Sequence, residues 1–346
     1  MKYFSQTIAL LAILFSTSCA KDSINNRIQR ANKIAEKSGF QRNNVTAKSF
    51  KILTFSKITD YTKPLSIFIE GDGFAWKTRY IISQNPTPKN PIGLKLAAID
   101  QSPNILYIAR PCQYVDILQE KHCQNKFWSR SRFSDVVLKD INIVIDKFVQ
   151  DYEFTKVNMY GYSGGGAIAV LIASRRNDVR SIRTVAANLN HKHLMKFHQL
   201  SPLSDSLDAI DVAQDVSKTW QYHLLGGKDK IVTNESSMSF INKAKEHNSE
   251  GVNFAIVKGA THRDYSWPKE WVKSFNEEKM ETNNSKLAEV NKVEVKAPEE
   301  TTKKEENNKV VDATKAVEEV KENKPVKTII KRSRVYKLIK GVKTLF

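Results

Sequence analysis

The middle of the chain alternates between short apolar runs and segments whose apolar residues recur at helical spacing. The runs are rich in β-branched and aromatic residues and mostly end at turn residues, which predicts strands at 50–55, 65–70, 105–109, 157–160, 182–187, 220–225 and 252–257. Helices are predicted at 136–149, with Ser134 as the N-cap, and at 165–174 and 235–247. This alternation indicates an α/β domain with a mostly parallel, doubly wound sheet.

The composition changes sharply near residue 277. Residues 277–324 include no aromatic residue, Cys or Gly, and they carry 10 Lys against 13 acidic residues. Such a segment cannot bury enough apolar surface to offset the loss of chain entropy on folding. We therefore predict a folded domain at 40–276, followed by a disordered charged tether at 277–324.

The last segment, 325–346, has five Lys, two Arg and no acidic residue. Apolar residues recur at helical spacing from Val335 to Leu345, which predicts a basic amphipathic helix. Such a helix is typical of segments that bind a membrane surface or a polyanion. The alternative is a solvated tail that contacts nothing in particular.

Residues 1–19 have the layout of a secretory signal peptide. A single positive charge is followed by an apolar run at 8–15 and by small residues before Cys19. A cysteine in this place resembles the signal of bacterial lipoproteins, in which the cysteine is lipid-modified and becomes the new N-terminus. Ordinary cleavage after Ser18 or Ala20 is the alternative. The chain is thus predicted to be exported, and lipidation would anchor it in a membrane of the cell envelope, facing the periplasm.

The other two of the three cysteines are Cys112 and Cys123. In the oxidising compartment that export implies, they are expected to form a disulfide closing a short loop, and two free thiols are expected if the chain is not exported. The cysteine spacing matches no zinc-site pattern, so no metal is predicted, and no cofactor is expected.

Basic residues outnumber acidic ones along the chain. With 55 Lys and Arg against 37 Asp and Glu, the net charge is +18, which favours anionic partners. Nucleic acid is disfavoured as the partner because the chain is predicted to be exported. A membrane, contacted through a lipidated Cys19 and the basic tail, is the expected partner.

A serine motif lies between the fourth predicted strand and the helix after it. The sequence Gly161-Tyr162-Ser163-Gly164-Gly165 has the pattern G-x-S-x-G, which in this position is a nucleophile elbow: a strained turn that lifts the serine hydroxyl out of the sheet. The helix N-terminus beside it supplies N–H groups and a dipole that stabilise a developing oxyanion. Ser163 is therefore the candidate nucleophile.

Candidate partners for Ser163 follow two later strands. Asp229 comes after the strand at 220–225, and His262 comes after the strand at 252–257, so both are expected at the carboxyl edge of the sheet. The order Ser163, Asp229, His262 is that of α/β hydrolases rather than that of the chymotrypsin or subtilisin types. Asp211 and Asp215 compete with Asp229 but lie in a helix-like segment, where a solvated face is expected.

An oxyanion hole needs two N–H donors. Gly164, the residue after the nucleophile, is expected to supply one, and the loop after the strand at 65–70 the other. In that loop Asp72 is the candidate, with Gly73 or Phe74 as alternates. An ordinary glycine turn is the alternative interpretation of the loop.

The chain resembles the α/β-hydrolase superfamily in these four segments: the elbow, the strand-G-D-G loop, G-G-K-D at 226–229 and the late histidine. With R-P-C-Q-Y at 110–114 and R-F-S-D-V-V at 132–137, it is similar to an uncharacterised group of bacterial α/β-hydrolase-like lipoproteins. The resemblance covers residues 45–276. Glu70 departs from the pattern, because many members have His before the oxyanion glycine.

The sequence as a whole predicts a serine hydrolase of the esterase or lipase type, acting on a small acyl ester through an acyl-enzyme intermediate. Residues 191–218 are expected to form a small helical lid over the carboxyl edge of the sheet. The rival hypothesis is a non-catalytic binding protein anchored in the envelope, since hydrolase scaffolds can lose activity.

Overall fold

The computed structural model describes residues 22–275. Within them lie eight strands: β1 (Gln41–Thr46), β2 (Lys51–Ile58), β3 (Leu65–Ile69), β4 (Asn104–Ile108), β5 (Val157–Tyr162), β6 (Val179–Val185), β7 (Trp220–Gly226) and β8 (Val252–Val257). The helices are α1 (Ile24–Lys37), α2 (Ile92–Ile99), α3 (Asp135–Asp151), α4 (Gly164–Ala173), α5 (His191–Phe197), α6 (Asn234–Lys245) and α7, at residues 267–275. The predicted signal peptide with Cys19, the tether and the basic tail lie outside the described residues.

The eight strands form one sheet in the order β1-β2-β4-β3-β5-β6-β7-β8. β2 runs antiparallel to both β1 and β4, and every other neighbouring pair is parallel. This arrangement confirms the predicted α/β fold, and all seven predicted strands are present. Because β3 to β8 are parallel, the loops that leave β3, β5, β7 and β8 meet at one edge of the sheet.

Helices cover both faces of the sheet, as strand β3 shows. Ile67 and Ile69 pack in the apolar cluster that holds α3, α4 and α6, whereas Phe68 packs in the cluster of α1, α2 and α7. All five residues of β3 are therefore buried. This two-sided burial explains why the strand has an unbroken apolar sequence instead of an alternating one.

Helices α1, α2 and α7 and strand β1 were not among the predicted elements. α1 begins at the N-cap Ser23, and its residues Ala31 and Ala35 are buried in the core. The helix lies before residue 40, so the folded part begins earlier than the expected boundary. β1 is a polar edge strand with Val45 as its buried residue. Its sequence pattern does not indicate a strand, and its hydrogen bonds to β2 stabilise the extended conformation.

The segment between β6 and β7 forms the predicted small helical lid, with α5 and a 3₁₀ turn at Ala209–Val212. The buried Asp208 carboxylate joins the start of the 3₁₀ turn to the start of α5, because it accepts the N–H groups of His191 and Lys192 at 3.0 Å each. The predicted disulfide is also present and joins Cys112 to Cys123. Within residues 22–275 no helix has the length and apolar character needed to cross a bilayer.

Candidate active site

Ser163 occupies the tight turn between β5 and α4. Its φ of 53° and ψ of −122° lie in a region that is costly for any residue with a side chain. The neighbouring glycines make this turn possible: a Cβ at Gly161 would stand 2.3 Å from the carbonyl oxygen of Gly165, and one at Gly165 would stand 2.2 Å from that of Ile69. The turn sets the Ser163 hydroxyl at the carboxyl edge of the sheet.

The structure brings Ser163, His262 and Asp229 into one hydrogen-bonded chain. Ser163 Oγ lies 2.9 Å from His262 Nε2, and His262 Nδ1 lies 2.7 Å from Asp229 Oδ2. The other carboxylate oxygen of Asp229 accepts the N–H groups of Ile231 and Val232 at 2.8 and 2.9 Å. These bonds fix the carboxylate, and the carboxylate in turn fixes the imidazole with Nε2 toward the serine. All three side chains are largely buried.

Two aromatic residues hold the backbone of His262. The Tyr162 hydroxyl donates to the His262 carbonyl at 2.8 Å, and the indole N–H of Trp267 donates to the same oxygen at 3.1 Å. Neither residue was singled out from the sequence. Tyr162 directly precedes the candidate nucleophile, but nothing in its position indicates a bond to a residue one hundred positions later.

The competing carboxylates lie elsewhere. Asp211 is exposed in the 3₁₀ turn of the lid and pairs with Lys192 Nζ at 2.8 Å, and Asp215 is exposed as well. Their solvated positions agree with the interpretation of that segment as a surface face. Asp229 is the carboxylate that meets His262.

The loop after β3 presents free N–H groups near the elbow. Phe74 donates its N–H to the Pro86 carbonyl at 2.9 Å, so the alternative assignment of Phe74 as an oxyanion donor is wrong. Within residues 22–275, the N–H groups of Asp72, Gly73 and Gly164 donate to no protein acceptor. They remain able to bind an oxyanion.

The carboxylate of Asp72 is held by two arginines. Arg110 Nη1 donates to Asp72 Oδ1 at 3.0 Å, and Arg132 Nη1 donates to Oδ2 at 2.9 Å. Arg110 Nη2 also donates to the Arg132 carbonyl. An acidic side chain next to an oxyanion site would oppose the developing charge, and here two guanidinium groups compensate it. These partnerships were missed in the sequence, although both arginines open segments that carry the family resemblance.

The segment after β4 supports the same loop. The Gln113 side chain donates to the Gly71 carbonyl at 3.0 Å and accepts the Arg110 N–H at 3.1 Å. Next to Gln113 in the chain, Cys112 is tied to Cys123 by the disulfide. The disulfide therefore restrains the segment that fixes the loop after β3.

Glu70, which departs from the family pattern, is a buried support of that loop. Its carboxylate accepts the N–H groups of Gly71, Gly93 and Leu94 and the hydroxyl of Tyr107, at 2.9 to 3.2 Å. Burial raises the pKa of Glu70 above its ordinary value, and the backbone donors oppose that shift. The side chain joins the loop to the N-terminus of α2 and is not free to receive a proton from the nucleophile.

A cavity of about 290 Å³ opens at Ser163 and His262. A larger one of about 680 Å³ shares with it the walls formed by Phe74 and Trp76. Apolar residues of the lid, among them Met195 and Leu200, line the larger cavity together with Trp76. This volume suits a small organic substrate. Among the described residues no cluster of three or more His, Cys, Asp or Glu side chains could hold a metal ion.

No protein-family model and no curated protein matches the chain. Solved structures do resemble it. An α/β hydrolase of unknown function from Agrobacterium tumefaciens is 14% identical, over 71% of this chain and 98% of that one, with a TM-score of 0.50. An acylaminoacyl peptidase solved with a chloromethyl ketone is 15% identical, over 69% of this chain and 41% of that one, also at 0.50.

These similarities are low in sequence and extend over most of the described residues. An esterase from Pyrococcus furiosus is 15% identical over 70% of this chain and 91% of its own, with a TM-score of 0.48. The chain spans about two fifths of the acylaminoacyl peptidases, 38% and 41% of their lengths. The strand order, the helices on both faces and the similarity to the two structures with a TM-score of 0.50 agree: the chain has the α/β-hydrolase fold.

Proposed function

We propose that the protein is a serine hydrolase that cleaves carboxylic esters. The observation that carries the proposal is the hydrogen-bonded chain from Ser163 through His262 to Asp229, with Ser163 in a strained elbow that opens into a cavity. A serine and a histidine on a protein surface can lie within hydrogen-bond distance by chance. A strained serine, an imidazole and a carboxylate that is itself fixed by two N–H groups form an arrangement suited to nucleophilic catalysis.

In the proposed mechanism His262 Nε2 takes the hydroxyl proton as Ser163 Oγ attacks the ester carbonyl carbon. Asp229 holds the imidazole in the tautomer that leaves Nε2 free, and it stabilises the imidazolium that forms. The N–H groups of Gly164 and Asp72 bind the tetrahedral oxyanion. The imidazolium then protonates the departing alcohol, and an acyl-serine remains. Water, which gives a proton to His262, then attacks the acyl carbon. The imidazolium returns this proton to Ser163 Oγ as the bond between the acyl carbon and Oγ breaks, which releases the acid and the free serine.

We further propose that the protein acts outside the cytoplasm, in the cell envelope, anchored by a lipid on Cys19 and contacting the membrane also through its basic tail. The signal-like pattern of residues 1–19 and the Cys112–Cys123 disulfide support this location. Metabolic labelling with a fatty-acid analogue should tag the wild type but not the Cys19→Ser variant. Equal labelling of both would contradict the anchor and leave the hydrolase proposal intact.

A fluorophosphonate probe followed by an ester panel tests the activity. The probe should label wild-type protein at Ser163, and nitrophenyl esters of graded chain length should be hydrolysed. The Ser163→Ala variant should lose both properties. Ser174→Ala, at the other end of α4, is the matched control because its hydroxyl bonds the Leu171 carbonyl away from the cavity.

The rival is a binding protein on the same scaffold. Folded wild-type protein that takes up no probe would favour it, and turnover unchanged in Ser163→Ala would refute the assigned nucleophile. An amide of the best acyl group belongs in the panel, because the fold supports peptidases as well as esterases.

A further inference from the structure

We propose that the ester substrate carries an acidic group, a carboxylate or a phosphate, and that Arg263 binds it. This inference rests on the proposed hydrolase function and names the substrate class of the same site. Three features of the cavity carry it: its uncompensated cations, the engagement of its carboxylates and the position of Arg263.

The first feature is a group of exposed basic side chains in neighbouring cavities. Lys77 and Arg79 line the larger cavity, and Arg263 lines both that cavity and the one at Ser163. Lys230 lines a third cavity, of about 270 Å³, which also opens at Ser163. None of the four forms an ion pair within residues 22–275. Arg79 donates to the carbonyl of His198 in the lid, but a carbonyl leaves its charge in place.

The second feature is that the carboxylates lining these cavities are already engaged. In the described part of the chain they are Glu70 and Asp72. The Asp72 carboxylate is bound by the guanidinium groups of Arg110 and Arg132. The buried Glu70 carboxylate accepts four hydrogen bonds. Neither is available to the four exposed cations, so the cavities are left with a positive field.

The third feature is the place of Arg263. It follows His262 in the chain, and its exposed side chain lines both the cavity at Ser163 and the larger neighbour. Apolar side chains of Trp76, Met195 and Leu200 line the larger cavity with it. An ester with an apolar chain that ends in an acid matches this combination of walls and charge.

The overall charge of +18 does not account for such selectivity. Exposed charges more than about 8 to 10 Å apart are largely screened in physiological salt, so a bound ester responds to the cations of its own cavity. Low-dielectric walls such as Trp76 and Met195 strengthen this local field. A distant surface arginine should therefore have no effect on the preference.

The test compares esters that differ in one charge. The nitrophenyl hemiester of adipic acid is compared with nitrophenyl hexanoate, and carboxymethyl hexanoate with ethyl hexanoate, which places the acid on the acyl or the alcohol side. In one or both pairs, wild-type kcat/KM should favour the anionic ester about tenfold, the effect of one charge-assisted bond. Arg263→Gln should remove most of this ratio, and high salt should reduce it. Arg42→Gln, on exposed β1, should leave the ratio unchanged.

Binding to the Ser163→Ala variant separates this proposal from the hydrolase proposal. Calorimetry on that variant should show tighter binding of the anionic member of a pair, with the difference lost in Ser163→Ala/Arg263→Gln. Neutral esters that bind and react as well as anionic ones in both pairs would overturn the proposal while the hydrolase activity stands. Anionic preference in binding without turnover in the wild type would support the site and refute the proposed reaction.

Discussion

The carboxylate of Asp72 lies directly against the backbone of Gly164: a Cβ at position 164 would stand 2.0 Å from Asp72 Oδ1. This close approach places the loop after β3 beside the first residue of α4, and these are the two segments from which the proposed oxyanion donors come. A side chain at position 164 would displace this carboxylate from its place between the two arginines, which favours glycine there. The acid is tolerated there because Arg110 and Arg132 compensate its charge.

Replacing Asp72 by Asn should destabilise the protein. The substitution leaves Arg110 and Arg132, both largely buried, without their anion, and losing one partner of such a cluster costs about 2 to 4 kcal/mol in the free energy of unfolding. Urea unfolding measures this change. The control Asp151→Asn breaks an exposed pair with Lys147 and should cost less than about 0.5 kcal/mol. Equal losses in the two variants would show that the buried cluster adds no more stability than an exposed ion pair.

Asp229→Asn should lower kcat about 10³- to 10⁴-fold with little change in KM, because an amide can donate to His262 Nδ1 and favour the wrong tautomer. Steady-state hydrolysis of the best ester measures this. Asp211→Asn is the matched control, since its carboxylate pairs with Lys192 on the lid surface. A kcat of Asp229→Asn within a few-fold of the wild-type value would show that Asp229 has no role in the mechanism.

Much of the site was predictable because a parallel sheet gathers the carboxyl ends of its strands at one edge. Ser163, Asp229 and His262 each follow a recognisable strand, so locating the strands also located the side chains. The tight turn at Ser163 has its own sequence pattern, because the approach of Gly165 to Ile69 excludes any side chain.

The supports of the site were not predictable in the same way. The ion-pair partners of Asp72 depend on the path of irregular loops, which the sequence pattern does not predict. The convergence of Arg110 and Arg132 on this carboxylate therefore could not be inferred from hydrophobic periodicity. β1 was missed because edge strands need few apolar residues. α1 was missed because most of its residues are polar and its fully buried residues are two alanines and an arginine, while Ile28 and Ile34 on the same helix are only partly buried. In each case the missing information is a contact distant in sequence.

Removing the disulfide should reduce stability. The bond between Cys112 and Cys123 closes a loop with a sequence separation of 11, for which the chain-entropy relation gives about 3 kcal/mol. Cys112→Ser/Cys123→Ser should show this loss in urea unfolding. Reductant should shift the wild type by a similar amount and leave the double variant unchanged. A double variant as stable as the oxidised wild type would show that the bond does not constrain the unfolded chain.

His223 should make the protein less stable in mild acid. The imidazole is buried in β7 between Thr184 Oγ1 at 2.8 Å and Gln221 Oε1 at 3.1 Å, and burial lowers the pKa of His223 from 6.5 to about 3. Below pH 6.5 the unfolded chain binds a proton that the folded protein does not accept until about pH 3. The stability due to the neutral imidazole is thus complete above pH 6.5 and is lost as the pH falls toward 3, by about 2 kcal/mol between pH 6.5 and 5.

Urea unfolding of wild type and His223→Gln between pH 6.5 and 5 tests whether stability falls as the pH is lowered. The variant should be less stable than wild type at neutral pH, because the cavity fits an imidazole against Phe240, yet it should lose less stability on acidification. His247→Gln removes an exposed imidazole from the same part of the chain and should keep the wild-type slope. Parallel pH profiles for wild type and His223→Gln would mean that His223 binds its proton equally in the folded and unfolded states, contrary to its burial.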